Sequence, residues 1–140
     1  MGLWTVLLVA ATALHAGFQL TVTTLTYPAL VEVEAARFAR AHGVHSHRII
    51  PLVALVYGLL VVACLGALVT AAGSAAVWMA GVASGVAVLV TAVHAVPLHG
   101  RLGRLGPEPA LLRSLTRADR VRTAAAVVAL VAAVVHAVGP

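Results

Sequence analysis

Four stretches of the chain, 3–27, 49–71, 75–97 and 121–138, are built mainly from Leu, Val, Ala and Ile, and almost every formally charged side chain falls between them. An α-helix needs about 20 consecutive apolar residues to cross a hydrocarbon core of roughly 30 Å, and each of the first three stretches is long enough. The fourth is shorter and starts beside Arg122, a side chain expected to snorkel from the helix end to the interface. The pattern predicts an all-α integral membrane bundle of four antiparallel helices, forming one membrane domain over residues 1–140.

The two polar segments, 28–48 and 98–120, have helical character of their own. Pro28 suits a first helical turn, and 29–41 is rich in good helix formers, with a stop expected near Gly43. Gly100, Gly103 and Gly106 recur every third residue and predict a flexible loop. Glu108-Pro109 then predicts the start of an amphipathic helix that carries Leu111, Leu112 and Leu115 into span four. No internal repeat is evident.

Charge sets the expected orientation. The segments after spans one and three hold eight of the nine arginines, whereas the connection Ala72-Gly73-Ser74 and both chain ends have no charged side chain. By the positive-inside rule, 28–48 and 98–120 are cytoplasmic and both termini lie outside. The stretch after Met1 lacks the basic start of a secretory signal, so span one is expected to be retained.

Composition narrows the class. A chain that is 62% hydrophobic and 9% charged, with a mean hydropathy of +1.07, exposes too much apolar surface for a soluble domain. A pI near 11.2 invites a nucleic-acid reading, but nine arginines scattered among membrane spans make no solvated basic face, so nucleic acid is rejected as a partner. The lone Cys64 excludes a disulfide scaffold. The absence of Lys and Asn suggests a bacterial genome of high G+C content, and hence a bacterial plasma membrane.

Polar side chains inside spans mark candidate chemistry, because hydrocarbon offers them no water. On span one, His15, Gln19, Thr23, Thr26 and Tyr27 form one helical stripe, which Glu34 continues if the helix survives Pro28. Its plainest role is a seam of interhelical hydrogen bonds, and a substrate or proton path is the alternative. On span three, Ser84, Thr91 and His94 share a regular helical face, while Gly81 and Gly85 form a GxxxG pair suited to close packing. His94, one turn from the cytoplasmic end and near His99, is the favoured general base. Tyr57 and Cys64 on span two read as core residues.

Cofactors enter as alternatives to a cofactor-free protein. His42, His45 and His47 lie within six residues, and Glu32, Glu34 and His99 are further donors for a single metal ion, yet no HExxH or paired ExxH pattern supports one. For haem, a rise of about 1.5 Å per residue puts His15 roughly 18 Å, His136 roughly 22 Å and His94 about 5 Å from the cytoplasmic end. Only His15 and His136 suit a shared haem on that count. The expectation is no cofactor and no metal ligands.

The motifs Gly17-Phe18-Gln19-Leu20, Thr26-Tyr27-Pro28-Ala29-Leu30, Ala41-His42 to Pro51, Pro97-Leu98-His99 and Asp119-Arg120-Val121-Arg122-Thr123 resemble those of small four-span bacterial membrane proteins. Their outline is similar to the anthrone oxygenase-like membrane family. The resemblance implies oxygenation of a lipophilic aromatic polyketide by dioxygen without a conventional flavin or haem.

A deprotonated, electron-rich aromatic reacts with dioxygen when an enzyme supplies a base, a charge stabiliser and a dry pocket. His94 with His45 or His99 would be the base, with Glu34 beside them. Arg122 or Arg48 would hold the developing anion, and Gln19, Tyr27 and Thr91 would orient the substrate. The same residues suit cyclisation or isomerisation of a terpene- or polyketide-like molecule. Rival readings are a non-catalytic or haem-binding membrane subunit and a small transporter, the latter needing a homo-oligomer to form a path.

The charge pattern makes one direct prediction. In a Cys64→Ala background, single cysteines replacing Ser74 and Gly2 should react with a membrane-impermeant maleimide in intact cells, and cysteines replacing Arg40 and Arg113 should react only after lysis. Labelling of the Arg40 position in intact cells would reverse the orientation.

Overall fold

A computed structural model describes residues 1–139; Pro140, the last residue of the expected domain, lies outside the described residues. The chain is an all-helical, antiparallel four-helix membrane bundle. The first rod comprises α1 (Leu3–Thr21), one π-helical turn (Val22–Thr26) and α2 (Tyr27–Val31). A three-residue break leads to α3 (Ala35–Thr70), and a short turn after it leads to the third rod. That rod repeats the first: α4 (Ala75–Val90), a π-helical turn (Thr91–Ala95) and α5 (Val96–Leu105). The last rod is one helix, α6 (Pro109–Val138). All four rods are long and apolar enough to cross a membrane. The apolar end of the bundle carries the α3–α4 turn, and the arginine-rich end carries the two breaks.

The two π-turns share a local cause. Each ends two residues before a proline, Pro28 or Pro97, within a rod that continues past the ring. Proline lacks an N–H and its ring presses on the carbonyl four residues back, so a regular helix would kink or stop there. A widened turn just ahead of it absorbs the clash and lets the helix run on. The two hairpins thus share an architecture that the residue pattern alone does not display.

Two local expectations differ from the structure. The stop near Gly43 is absent, because α3 runs through Gly43 and Pro51. Glycine costs a helix interior about 1 kcal/mol, a penalty outweighed here by the burial of Phe38 and His42 on the inward face. The loop expected over Gly100–Gly106 is helical as far as Leu105, held by Leu102, which is fully buried against the Phe38 and Leu111 cluster. Only Gly106 breaks the helix, with φ +83°, ψ −168°, a conformation open essentially to glycine. The Glu108-Pro109 start stands where expected and leads into span four without interruption.

Neighbouring rods pack in cyclic order, first with second, second with third, third with fourth, and fourth with first. Contact is most extensive between α4 and α6, where Ala80, Ala83 and Ala87 face a helix bearing Ala126, Ala129 and Ala133, all buried. Small side chains let helix backbones approach closely where lipid supplies no hydrophobic drive for association. The GxxxG pair does not do this work: Gly85 is exposed, and a Cβ there would meet nothing within 4 Å. The close glycine contact lies instead at Gly66, whose Cα is covered by the Trp4 indole. Leu8, Leu60 and Val77 complete the core of the apolar end.

This packing predicts opposite outcomes for two glycine substitutions. Gly66→Ala drives a methyl into the Trp4 ring and should lower unfolding stability by about 1–3 kcal/mol. Gly85→Ala should leave it unchanged or raise it by up to about 1 kcal/mol. Thermal unfolding in detergent micelles, followed by circular dichroism, measures both.

Candidate functional site

Between the two cores the bundle is polar. Arg122 is the centre of this zone. Because α6 starts at Pro109, Arg122 lies more than three turns inside a helix and not at its end, and its guanidinium is buried instead of snorkelling. Its Nη2 donates to Asp119 Oδ1 at 2.6 Å and to the Tyr27 hydroxyl at 3.1 Å, and Nη1 donates to Thr91 Oγ1 at 3.4 Å. Asp119 is 1% exposed, and its second oxygen accepts from the Thr23 hydroxyl at 2.6 Å. The Thr123 hydroxyl lies 2.6 Å from that of Thr23. One ion pair therefore ties the fourth rod to the first and, through Thr91, to the third.

Donor and acceptor counting sets the direction of the hydrogen bonds at Thr91. The Thr91 hydroxyl donates to the Ala87 carbonyl, so the Tyr57 hydroxyl, 3.0 Å away, donates to Thr91. The Tyr27 oxygen accepts from Arg122 and lies 3.1 Å from His99 Nε2; in the His99 tautomer with its hydrogen on Nδ1, the Tyr27 proton points to that nitrogen. In that tautomer His99 donates through Nδ1 to His42 Nε2, also at 3.1 Å. His42 stacks on Phe38, and the His45 ring lies 5.9 Å from that of His99. The result is a directed chain from the buried guanidinium to a histidine cluster at the arginine-rich end.

Beside this chain lies a cavity of about 480 Å³. Gln19, Tyr27, Thr91, His99 and Arg122 form its polar side, and Phe18, Val22, Ile49, Val53 and Ala95 are among its apolar lining. Ile50 and Val96, 63% and 62% exposed, stand on its rim, so it opens sideways between the second and third rods. Its size falls within the roughly 300–1,000 Å³ of pockets that enclose small molecules, and a mostly apolar lining with a few convergent polar groups is their usual make-up.

Five of the nine expected site residues, Gln19, Tyr27, Thr91, His99 and Arg122, meet at this cavity. His45 stands next to His99 but lines a neighbouring groove between α1 and α3, together with Arg48. Glu34 does not continue the span-one stripe. It is exposed at the start of α3, with Arg37 at 3.8 Å. His94 is exposed on the outside of the bundle and does not approach Gln19 or Tyr27. The cause is the π-turn, whose extra residue per turn carries the inward face from Thr91 to Ala95 and His99 and leaves His94 outside.

Asp119, His42 and Tyr57 belong to the polar network and were not assigned to the site from sequence. Asp119 had a signal: it is the only aspartate in the chain and lies three residues before Arg122.

The cofactor alternatives are rearranged as well. His136 bonds Ser74 at 3.1 Å and Thr5 at 3.4 Å near the apolar end, whereas His15 is ten positions farther along α1 than Thr5, about 15 Å at the helical rise. The two histidines stand at different depths and do not share a haem. Of the proposed metal donors, Glu32, Glu34 and His47 are exposed, and among the described residues no group of three or more His, Cys, Asp or Glu is placed to hold a metal ion. No family model matches the sequence, and no curated protein or solved structure is significantly similar to it.

The buried pair predicts a specific stability pattern. Asp119→Ala leaves an uncompensated guanidinium and should cost roughly 3–5 kcal/mol. The double replacement Asp119→Leu with Arg122→Met should recover most of that loss in denaturant unfolding. An equal loss in the double variant would show that the ion pair is not the source of the destabilisation.

Proposed function

We propose that this protein is a bacterial plasma-membrane enzyme that moves a proton on a small lipophilic molecule, polyketide- or terpene-like, bound in the cavity between the second and third rods. The observation that carries the reading is an apolar, laterally open cavity with one polar wall, where a tyrosine is bonded on one side to a buried guanidinium and on the other to a histidine. The arginine-rich end faces the cytoplasm, and the ligand arrives from the bilayer past Ile50 and Val96.

The chemistry follows from the hydrogen-bond direction. When the Tyr27 proton passes to His99 Nε2, the His99 Nδ1 proton moves on to His42, and the phenolate oxygen left behind is held by Arg122. That oxygen is the base for an acidic C–H or O–H of the ligand. The Arg122 Nε–H is buried with no partner and is available to the anion that forms. Apolar walls exclude water, which strengthens both interactions. Return of the proton to another atom gives isomerisation or cyclisation. Reaction of the carbanion with dioxygen, as the resemblance to anthrone oxygenase-like proteins implies, gives oxygenation after the same first step.

Anthrone, with its acidic C10 methylene, tests that step without dioxygen. Proteoliposomes under argon in D₂O should accelerate deuterium incorporation at C10, read by proton NMR. Tyr27→Phe and His99→Ala should each lower the rate on the order of 10²-fold or more, the usual scale for lost acid–base catalysis. His94→Ala should leave it unchanged. Exchange by the wild-type protein at the rate of empty liposomes would overturn the proposal.

A further inference from the structure

The end of the cavity farthest from the arginines holds a second polar group that the proton chain does not use. Gln19 lines the cavity, is 0% exposed, and has no partner for either its amide nitrogen or its oxygen. His15, one helical turn farther in on the same face, is also 0% exposed, and neither ring nitrogen has a partner. Its ring meets that of Tyr57 edge-on at 4.8 Å, and the Tyr57 hydroxyl is bonded to Thr91, another cavity residue.

Two adjacent polar side chains with four unbonded atoms stand in the part of the bundle where lipid supplies no hydrogen bonds. Among the described residues no neighbouring rod supplies them a partner. Something that reaches the cavity must.

The donor inventory sets what that group is. A carboxamide and a neutral imidazole each offer one donor side and one acceptor side. Arg122, the cation on the wall of the same cavity, is balanced by Asp119, bonds Tyr27 and Thr91 through its Nη atoms, and has only its Nε–H without a partner. We infer that the deep end of the cavity is a recognition pocket, built by Gln19 with His15 behind it, for the uncharged hydroxyl of a lipophilic ligand. A hydroxyl donates and accepts at once and matches both side chains. A hydrocarbon leaves them unpaired, and a carboxylate, which only accepts, leaves their acceptor sides unpaired and adds a charge where Asp119 already balances Arg122. The inference rests on the cavity being a ligand site and is independent of the proton step.

Binding of 2-naphthol, naphthalene and 2-naphthoate to the protein in phosphatidylcholine nanodiscs, corrected for uptake by empty nanodiscs, tests it. The wild-type protein should bind 2-naphthol about 10-fold or more tightly than either analogue, the scale of one well-made hydrogen bond. Gln19→Met, nearly isosteric and apolar, should shrink the preference over naphthalene to about 3-fold or less, and His15→Phe should shrink it as well, with helicity by circular dichroism confirming that each is folded. A wild-type protein that binds 2-naphthol and naphthalene alike overturns the inference and assigns the deep end to ordered water only; this comparison needs no variant. An unchanged preference in folded Gln19→Met overturns it too. Either result with anthrone exchange intact leaves the proton-transfer reading standing, and a naphthol preference without anthrone exchange removes only that reading.

Discussion

A guanidinium held within the apolar part of a helical bundle is the constraint around which the rest of this structure is arranged. An isolated charge there is costly, so Arg122 is tolerable only with a carboxylate and further acceptors around it. Asp119, one turn back on the same helix, supplies the counter-charge at 2.6 Å, and Tyr27 and Thr91 supply acceptors from two other rods. Each partner is held in turn, Asp119 by Thr23, Thr91 by Tyr57 and Tyr27 by His99. Neutralising one arginine therefore sets the relative register of all four rods at that depth.

The prolines are the second constraint, and their effect reaches the site through backbone geometry. Each π-turn ahead of a proline shifts the phase of its rod, so the face that points inward before the turn differs from the one after it. On the first rod the inward face steps from Val22 to Tyr27, five residues on, which brings the phenol under Arg122. On the third it selects His99 over His94. Such turns are frequent at functional sites, and here the cavity lies between the two of them. The site is thus placed where the helices are least regular, flanked by two well-packed cores that hold the ends of the rods together.

These two features give the cavity its chemical asymmetry. One wall is lined by Ile49, Val53 and other apolar side chains and opens to the side, and the other presents a hydrogen-bonded chain that starts at Arg122. A guanidinium donates and never accepts, so Tyr27 must accept from it, which leaves the Tyr27 proton for another partner. The proposed acid–base role uses the tautomer in which that proton points to His99.

The sequence by itself determined the solvent and the number of rods. Apolar runs near 20 residues admit no other stable arrangement in lipid, and Pro109, Gly106 and Ser74 mark helix boundaries where the structure has them. It also singled out Gln19, Tyr27, Thr91, His99 and Arg122, because a polar group in a membrane span stands out against its neighbours. Depth and facing were decided only by the tertiary structure. A periodicity argument assumes 3.6 residues per turn throughout, and one extra residue in a π-turn defeats it for His94 while leaving the local composition unchanged. The helix start at Pro109, twelve residues before the apolar run, is legible in the sequence, but the burial of Arg122 within that helix is decided by its partners on other rods. Asp119, polar and outside the apolar stretch, reads as solvated until packing against Thr23 and Arg122 removes its water. Local composition dictates which residues a membrane must hide, and the partners that hide them come from other rods, brought into register by contacts that span the whole chain.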